Sequence, residues 1–122
     1  MHLLSQVLIG LVAAIHLYIL WLEMFAWTTR GPKTFRSLRP ELFEPTKVLA
    51  ANQGLYNGFL VAGLVWSLLI TDADWHRNVA AFFLGCVAVA GVYGALTAGG
   101  RILLVQTVPA LLALAALQLA QR

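Results

Sequence analysis

Apolar residues occupy this chain in four long runs that are separated by short polar segments. We place the runs at residues 3–27, 48–70, 79–98 and 102–120. Each run is close to the ~20 residues that an α-helix needs to cross the hydrocarbon core of a bilayer. The alternation of apolar and polar positions that is typical of membrane β-barrels is absent from them. The pattern therefore predicts an all-α protein, a bundle of four transmembrane helices.

The composition agrees with a membrane protein. Of the 122 residues, 61% are hydrophobic and 11% are charged, whereas soluble domains average about 25% charged residues. A chain of this length is expected to form a single domain, residues 1–122. The net charge is +3, but the basic residues cluster at the ends of the apolar runs and form no face for a polyanion. We therefore expect no nucleic-acid partner.

The basic residues also predict the orientation of the helices. The first loop, "TTRGPKTFRSLRPELFEPTK", and the tight turn "AGGR" together hold six of the eight Lys and Arg residues. If both face the cytoplasm, the positive-inside rule places both termini on the outer side, and we expect a bacterial inner (plasma) membrane. The first loop is expected either to lie in the headgroup region, against anionic lipid, or to be an ordinary solvated loop.

Under this topology, every run carries polar residues in the half of the bilayer nearer the cytoplasm. They are Glu23, then Asn52, Gln53, Tyr56 and Asn57, then Tyr93 and Thr97, then Arg101 and Gln106. An ionised acid at the membrane centre costs roughly 2.5–3.5 kcal/mol, and such residues usually face a protein interior or a wet cavity. We expect Glu23 to pair with Arg101 or with an amide of the second run. The alternative is that Glu23 reaches water at the headgroups.

His16 precedes Glu23 by seven residues and shares its helix face, two turns away. Two interpretations are open for this side chain, a hydrogen-bonded packing histidine or a metal ligand. A metal site would need further His, Cys or acidic ligands, and only Glu23 is in reach. We therefore expect no bound metal.

The segment "AANQGLYNGF", residues 50–59, combines two stripes on one predicted helix. Gly54, Gly58 and Ala62 form a stripe of small residues, which lets a neighbouring helix approach closely. Positions 53, 56, 57 and 60 form a stripe beside it that includes Gln53, Tyr56 and Asn57. Three amides and a phenol in one short segment are typical of the lining of a polar pocket. Hydrogen bonding between helices is the alternative.

Three stretches carry a resemblance to a known family. The stretches "EMFAWTTRGPKTF", "ANQGLYNGFLVAGLVW" and "GVYGALTAGGRILLVQTVPA" are similar to the small four-helix proteins catalogued as domain of unknown function 1304. The resemblance covers nearly the whole chain. That family has no established activity, so the resemblance by itself implies no function.

A remoter resemblance points to chemistry. The stretch "KVLAANQGLYNGFLVAGLVW" resembles the second helix of the membrane-associated eicosanoid and glutathione metabolism superfamily. The resemblance implies trimers that bind glutathione between protomers. It places Tyr93 on a tyrosine that contacts glutathione and Arg101 on an arginine that activates its thiol. Gly54 stands where that superfamily has an asparagine, and Thr97 stands where a second tyrosine would help.

The leading hypothesis is a small integral membrane protein whose cytoplasmic-side polar pocket binds a lipophilic or amphipathic ligand. If it is an enzyme, it is a glutathione-type transferase or an isomerase. The catalytic candidates are then Glu23, Tyr93 and Arg101, and the ligand-binding candidates are His16, Asn52, Gln53, Tyr56, Asn57 and Thr97. The alternatives are a non-catalytic ligand-binding or assembly protein and a small transporter or proton path. The expected partners are membrane lipid, a small lipophilic molecule and further copies of the chain, in a trimer.

Overall fold

The computed structural model describes residues 2–120, and this part of the chain contains helices and loops without any strand. The helices are α1 (His2–Phe25), α2 (Gly31–Thr34), α3 (Lys47–Leu69), α4 (Ala73–Thr97) and α5 (Val108–Leu119). A 3₁₀ turn, Pro40–Leu42, lies in the first loop, and a π-helical turn, Leu103–Thr107, leads directly into α5. The prediction of an all-α protein is confirmed for these residues.

Three of the helices, α1, α3 and α4, are long and apolar enough to cross a membrane. This length and composition indicate a membrane protein. The last apolar segment, Leu103–Leu119, is shorter than the other three. The fourth predicted run is thus helical and lies at the short end of the spanning range, so three to four helices of the described chain could cross a membrane. The side of the membrane on which each terminus lies stays a prediction.

Helix α4 begins at Ala73, six residues before the start at residue 79 that the apolar pattern predicts. Asp72 caps this helix, because its Oδ1 accepts a hydrogen bond from the backbone N–H of Trp75 at 3.0 Å. A carboxylate at this position satisfies a backbone donor that the helix leaves free and also favours the positive end of the helix dipole. The cap therefore adds polar turns to α4 that a count of apolar residues leaves out.

The long helices contact one another in a closed order. Helix α1 packs against α3 and α5, and α4 packs against α3, α5 and the π-helical turn. The apolar core lies where the first half of α1 and the second half of α3 meet α4 and α5. It includes Ile9, Val12, Leu64, Leu84, Val87, Ala110 and Ala113. His16 and Glu23 follow this core along α1, towards the first loop.

The first loop folds back on the end of α1. The Trp27 ring lies 4.8 Å from the Phe43 ring and 5.5 Å from the Phe35 ring, measured between centroids. Its Nε1 donates a hydrogen bond to Thr46 Oγ1 at 3.0 Å, and Phe43 is 2% exposed. The aromatic residues of the loop therefore pack against the protein. Its position in the headgroup region or in solvent stays a prediction. Its exposed basic side chains are Arg30, Lys33, Arg36 and Arg39.

Candidate polar site between α1 and α3

Helices α1 and α3 approach each other closely at two glycines of α3. A Cβ added to Gly54 would lie 2.5 Å from Met24 Cγ, 3.1 Å from Glu23 Cβ and 3.2 Å from the Leu20 carbonyl oxygen. One turn later, a Cβ on Gly58 would lie 2.9 Å from Leu20 Cδ1. Carbon atoms in ordinary contact are about 3.5–4.0 Å apart, so this approach depends on glycine. The predicted stripe of small residues therefore packs against a helix of its own chain.

This close approach brings Glu23 of α1 to Asn57 of α3. Asn57 Nδ2 donates a hydrogen bond to Glu23 Oε1 at 2.6 Å and a second one to the backbone oxygen of Gln53 at 3.2 Å. Glu23 is 9% exposed and Asn57 is 6% exposed. Of the two kinds of partner expected for Glu23, the structure contains the amide. We refer to these two side chains as the acid–amide pair.

The acid–amide pair lies far from the start of α3. Counted from Lys47, Asn57 is the eleventh of 23 residues, which is about 15 Å along the helix axis. A position at the headgroups would therefore require the first ten residues of α3 to lie outside the hydrocarbon. The pair is near the middle of α3 but near the end of α1, because the two helices are offset along their axes.

The acid–amide pair leaves two oxygen atoms without a hydrogen bond. Both hydrogens of the Asn57 amide are used, so its Oδ1 is free, as is Glu23 Oε2. Across residues 2–120, no buried side-chain nitrogen or oxygen lacks a hydrogen-bond partner. These two oxygens must therefore reach the surface of the chain. The ion pairs in the same range are Arg39–Glu41 and Arg77–Asp74, so none involves Glu23.

A second polar contact joins α1 to the π-helical turn. His16 is fully buried, and its Nδ1 lies 2.8 Å from the Val12 carbonyl oxygen. Since a carbonyl can only accept, Nδ1 carries the proton and Nε2 accepts a hydrogen bond from Gln106 Nε2 at 3.0 Å. Both ring nitrogens are occupied, which is the arrangement of a packing histidine. Gln106 was not among the candidate site residues predicted from the sequence.

The π-helical turn explains how Gln106 reaches His16. Pro109 follows the turn and lacks the N–H that would bond to the carbonyl four residues earlier, which favours an irregular helix here. Thr107 Oγ1 donates a hydrogen bond to the Ala88 carbonyl oxygen of α4 at 3.0 Å. A Cβ on Gly91 would overlap the Thr107 hydroxyl. These contacts fix the turn against α4. A glutamine inside an apolar run, three residues before a proline, was the available sequence signal.

The other candidate residues have exposed side chains in the single chain: Asn52, Gln53, Tyr56, Tyr93, Thr97 and Arg101. Tyr56 is 55% exposed and Tyr93 is 70% exposed. Asn52 and Thr97 donate to backbone oxygens of their own helices, at 2.9 Å and 2.8 Å. The sequence predicts that these side chains line a pocket around Glu23. A single chain does not gather them there. Their roles in binding or catalysis stay predictions.

Comparison with known proteins gives a family but no activity. The family model described as "Protein of unknown function (DUF1304)" matches residues 10–118. The chain is 32% identical over 116 residues to "Uncharacterized protein YpaA" of Lactococcus lactis subsp. lactis (strain IL1403), covering 93% of this chain and 96% of that protein. No solved structure matches the chain significantly. The match along almost the full length shows that the chain belongs to the DUF1304 family.

Proposed function

We propose that this protein is an integral protein of the bacterial inner membrane that binds a lipophilic or amphipathic ligand at the acid–amide pair. The observation that carries the proposal is the pair itself, a buried acid held by an amide with two oxygens left for another molecule. In the proposed orientation, the first loop and Arg101 face the cytoplasm and both termini face outwards. A ligand would enter from the bilayer and place its polar group against Glu23 and Asn57.

The energy of the pair supports a role beyond holding α1 to α3. Hydrogen bonds between helices in a membrane average only about 0.6 kcal/mol. An acid costs about 2.5–3.5 kcal/mol at the membrane centre on insertion scales and less towards the interface. Glu23 lies near the end of α1 but beside the middle of α3. Where this cost exceeds the stabilisation from one hydrogen bond, apolar side chains would hold the two helices together better. Acids retained at such positions usually serve binding or proton transfer.

Matched asparagine substitutions on α3 test this proposal. Asn57→Leu removes the amide that holds Glu23, whereas Asn52→Leu removes an exposed amide that bonds only to its own helix. The protein is extracted in a mild detergent, and its co-purifying lipophilic molecules are identified by mass spectrometry. We expect one such molecule with the wild type and Asn52→Leu and its loss from Asn57→Leu. Equal retention by both variants, or none by the wild type, would contradict the proposal.

A catalytic version needs a second copy of the chain. Tyr93 and Arg101 are exposed, so they would join Glu23 in a transferase or isomerase only if a neighbouring copy brought them to it. The remoter resemblance to the eicosanoid and glutathione superfamily implies such trimers. Binding of glutathione to the purified oligomer, compared between the wild type and Arg101→Ala, tests this version. Equal and negligible binding in both would dismiss it.

A second candidate, an assembly protein, is favoured by the surface of α3. Asn52, Gln53 and Tyr56 are exposed on a helix that is apolar enough to span a membrane. Polar side chains between membrane helices are typical of helix contacts, so these residues suit an interface between copies. The oligomer measured by native mass spectrometry is then expected to be weakened by Tyr56→Leu and unaffected by a change on α5, such as Leu112→Ala. A monomeric wild type would exclude this function.

A further inference from the structure

The acid–amide pair presents hydrogen-bond acceptors to a ligand, and this determines the chemistry of the ligand. Asn57 Nδ2 has two hydrogens, and the contacts with Glu23 Oε1 and the Gln53 carbonyl use both of them. The amide therefore has its carbonyl oxygen left, which is an acceptor alone. The orientation of the amide is set by these contacts, because a flipped amide would place two oxygens against each other.

The second free atom, Glu23 Oε2, adds negative charge or a further polar oxygen at the same place. Ionised, the carboxyl group is an acceptor, and protonated, it has one O–H donor beside its acceptor capacity. The Asn57 oxygen is an acceptor in both cases. A hydroxyl group suits both forms of the acid because it donates and accepts, and an ammonium group suits the ionised form. A carboxylate or phosphate would face at least one oxygen that repels it.

In the described part of the chain, no cation is paired with Glu23 that would make the site favour an anionic ligand. Its one hydrogen-bond partner is Asn57, and it takes part in no ion pair within residues 2–120. Lys47 begins α3 ten residues before Asn57, about 15 Å along the axis. The pair thus lacks the Arg or Lys that usually binds carboxylates and phosphates.

We infer that the ligand is a lipophilic alcohol or amine. An amino group donates to both Asn57 Oδ1 and Glu23 Oε2, whereas a hydroxyl donates to one of these oxygens and accepts from Glu23 when that acid is protonated. This inference rests on the proposed function and narrows it. It also disfavours an anionic occupant of this particular site, including the carboxylates of glutathione. Both side chains are more than nine-tenths buried, and only their free oxygens reach the surface. The polar group of the ligand would therefore meet these oxygens while its hydrocarbon part remains in the bilayer.

Matched photoreactive amphiphiles test the inference. Tetradecyl alcohol, tetradecylamine and tetradecanoic acid, each with the same diazirine on the chain, are added to the full-length protein in phosphatidylcholine nanodiscs. After irradiation, labelled peptides from α1 and α3 are quantified relative to those from α5, where exposed leucines report labelling from bulk lipid. We expect the alcohol and the amine to exceed the acid by about threefold for one hydrogen bond and about eightfold for both.

Variants distinguish a failed inference from a failed proposed function. In Asn57→Leu the preference should fall, because one of the two acceptors is lost while Glu23 remains, and Asn52→Leu should keep it. Glu23→Gln supplies an N–H donor in place of Oε2 and should reduce the discrimination against the acid. If labelling depends on Asn57 but the acid labels as well as the alcohol, the inference is wrong and the proposed function stands. If Asn57→Leu and Asn52→Leu label alike with every probe, both are wrong.

Folding of each variant is checked by circular dichroism and by elution from a size-exclusion column. If Asn57→Leu does not fold, the inference is tested by comparing the ratio of acid to alcohol labelling between the wild type and Glu23→Gln. That substitution retains an oxygen that can accept from the Asn57 amide. An unchanged ratio of acid to alcohol labelling in Glu23→Gln would then overturn the inference.

Discussion

Gly54→Ala should loosen the contact that brings the acid–amide pair together. The added Cβ would lie 2.5 Å from Met24 Cγ and 3.1 Å from Glu23 Cβ. To reach an ordinary separation of about 3.5 Å, the first atom must move by about 1 Å and the second by about 0.4 Å. Met24 can change its rotamer, but the Leu20 carbonyl oxygen at 3.2 Å belongs to the backbone. Part of the strain must therefore be relieved by moving α1 away from α3.

The size of the effect follows from two opposing contributions. Overpacking a well-filled contact typically costs about 1–3 kcal/mol. Replacing glycine by alanine within a helix stabilises it by about 0.8–1.0 kcal/mol. Gly85→Ala on α4 provides the second contribution alone, because a Cβ there meets no atom within 4 Å. We therefore expect Gly54→Ala to have a free energy of unfolding about 1–3 kcal/mol lower than that of Gly85→Ala.

The measurement is reversible unfolding in mixed micelles. The fraction of sodium dodecyl sulfate is increased stepwise, and the helix content of the protein is followed by circular dichroism. Both variants are compared with the wild type under identical conditions, so the gain in helix propensity cancels in their difference. If the two free energies of unfolding agree within about 0.5 kcal/mol, α1 and α3 do not meet at Gly54. The geometry of the acid–amide pair would then be wrong as well.

The contacts of the π-helical turn give two further predictions. A double-mutant cycle with His16→Leu and Gln106→Leu should show a coupling of about 0.6 kcal/mol and at most about 1.7 kcal/mol in the free energy of unfolding; additive effects would refute their hydrogen bond. Gly91→Ala should destabilise the protein by about 1–3 kcal/mol relative to Gly85→Ala, because its Cβ would overlap the Thr107 hydroxyl. If Gly91→Ala and Gly85→Ala unfold alike in the same micelle assay, α4 does not pack against the turn there.

The sequence was sufficient for the helices, and it left two kinds of partner open for the acid, Arg101 or an amide of α3, of which the structure contains the amide. Long apolar runs predict helices because a membrane leaves the backbone few other ways to satisfy its hydrogen bonds. The glycines at positions 54 and 58 correctly indicated a close helix contact, and Asn57 lies one turn from Gly54 along the same face. An acid within an apolar run needs a polar partner, and α3 was the helix with amides to offer.

The sequence did not predict how each helix is rotated about its own axis, and this rotation determines which side chains face the other helices. In a soluble helix, polar residues mark the outward face, but α3 is apolar on nearly all sides, so no such mark exists. Helical spacing predicts that positions 53, 56, 57 and 60 form one stripe. Consecutive residues are about 100° apart around a helix, and this is enough to bury Asn57 while Tyr56 is 55% exposed. A shared depth in the membrane does not imply a shared face.

The two buried polar contacts of α1 differ in what they leave available. His16 has both nitrogens occupied, one by the Val12 carbonyl and one by Gln106, so its ring can be fully explained by packing. The contact between Glu23 and Asn57 satisfies one oxygen of the acid and both amide hydrogens, and two oxygens stay free at the surface of the chain. A purely structural contact in an apolar surrounding would be stabilised by satisfying every polar atom. We therefore propose that another molecule binds at the incomplete contact, and the binding role of His16 stays a prediction.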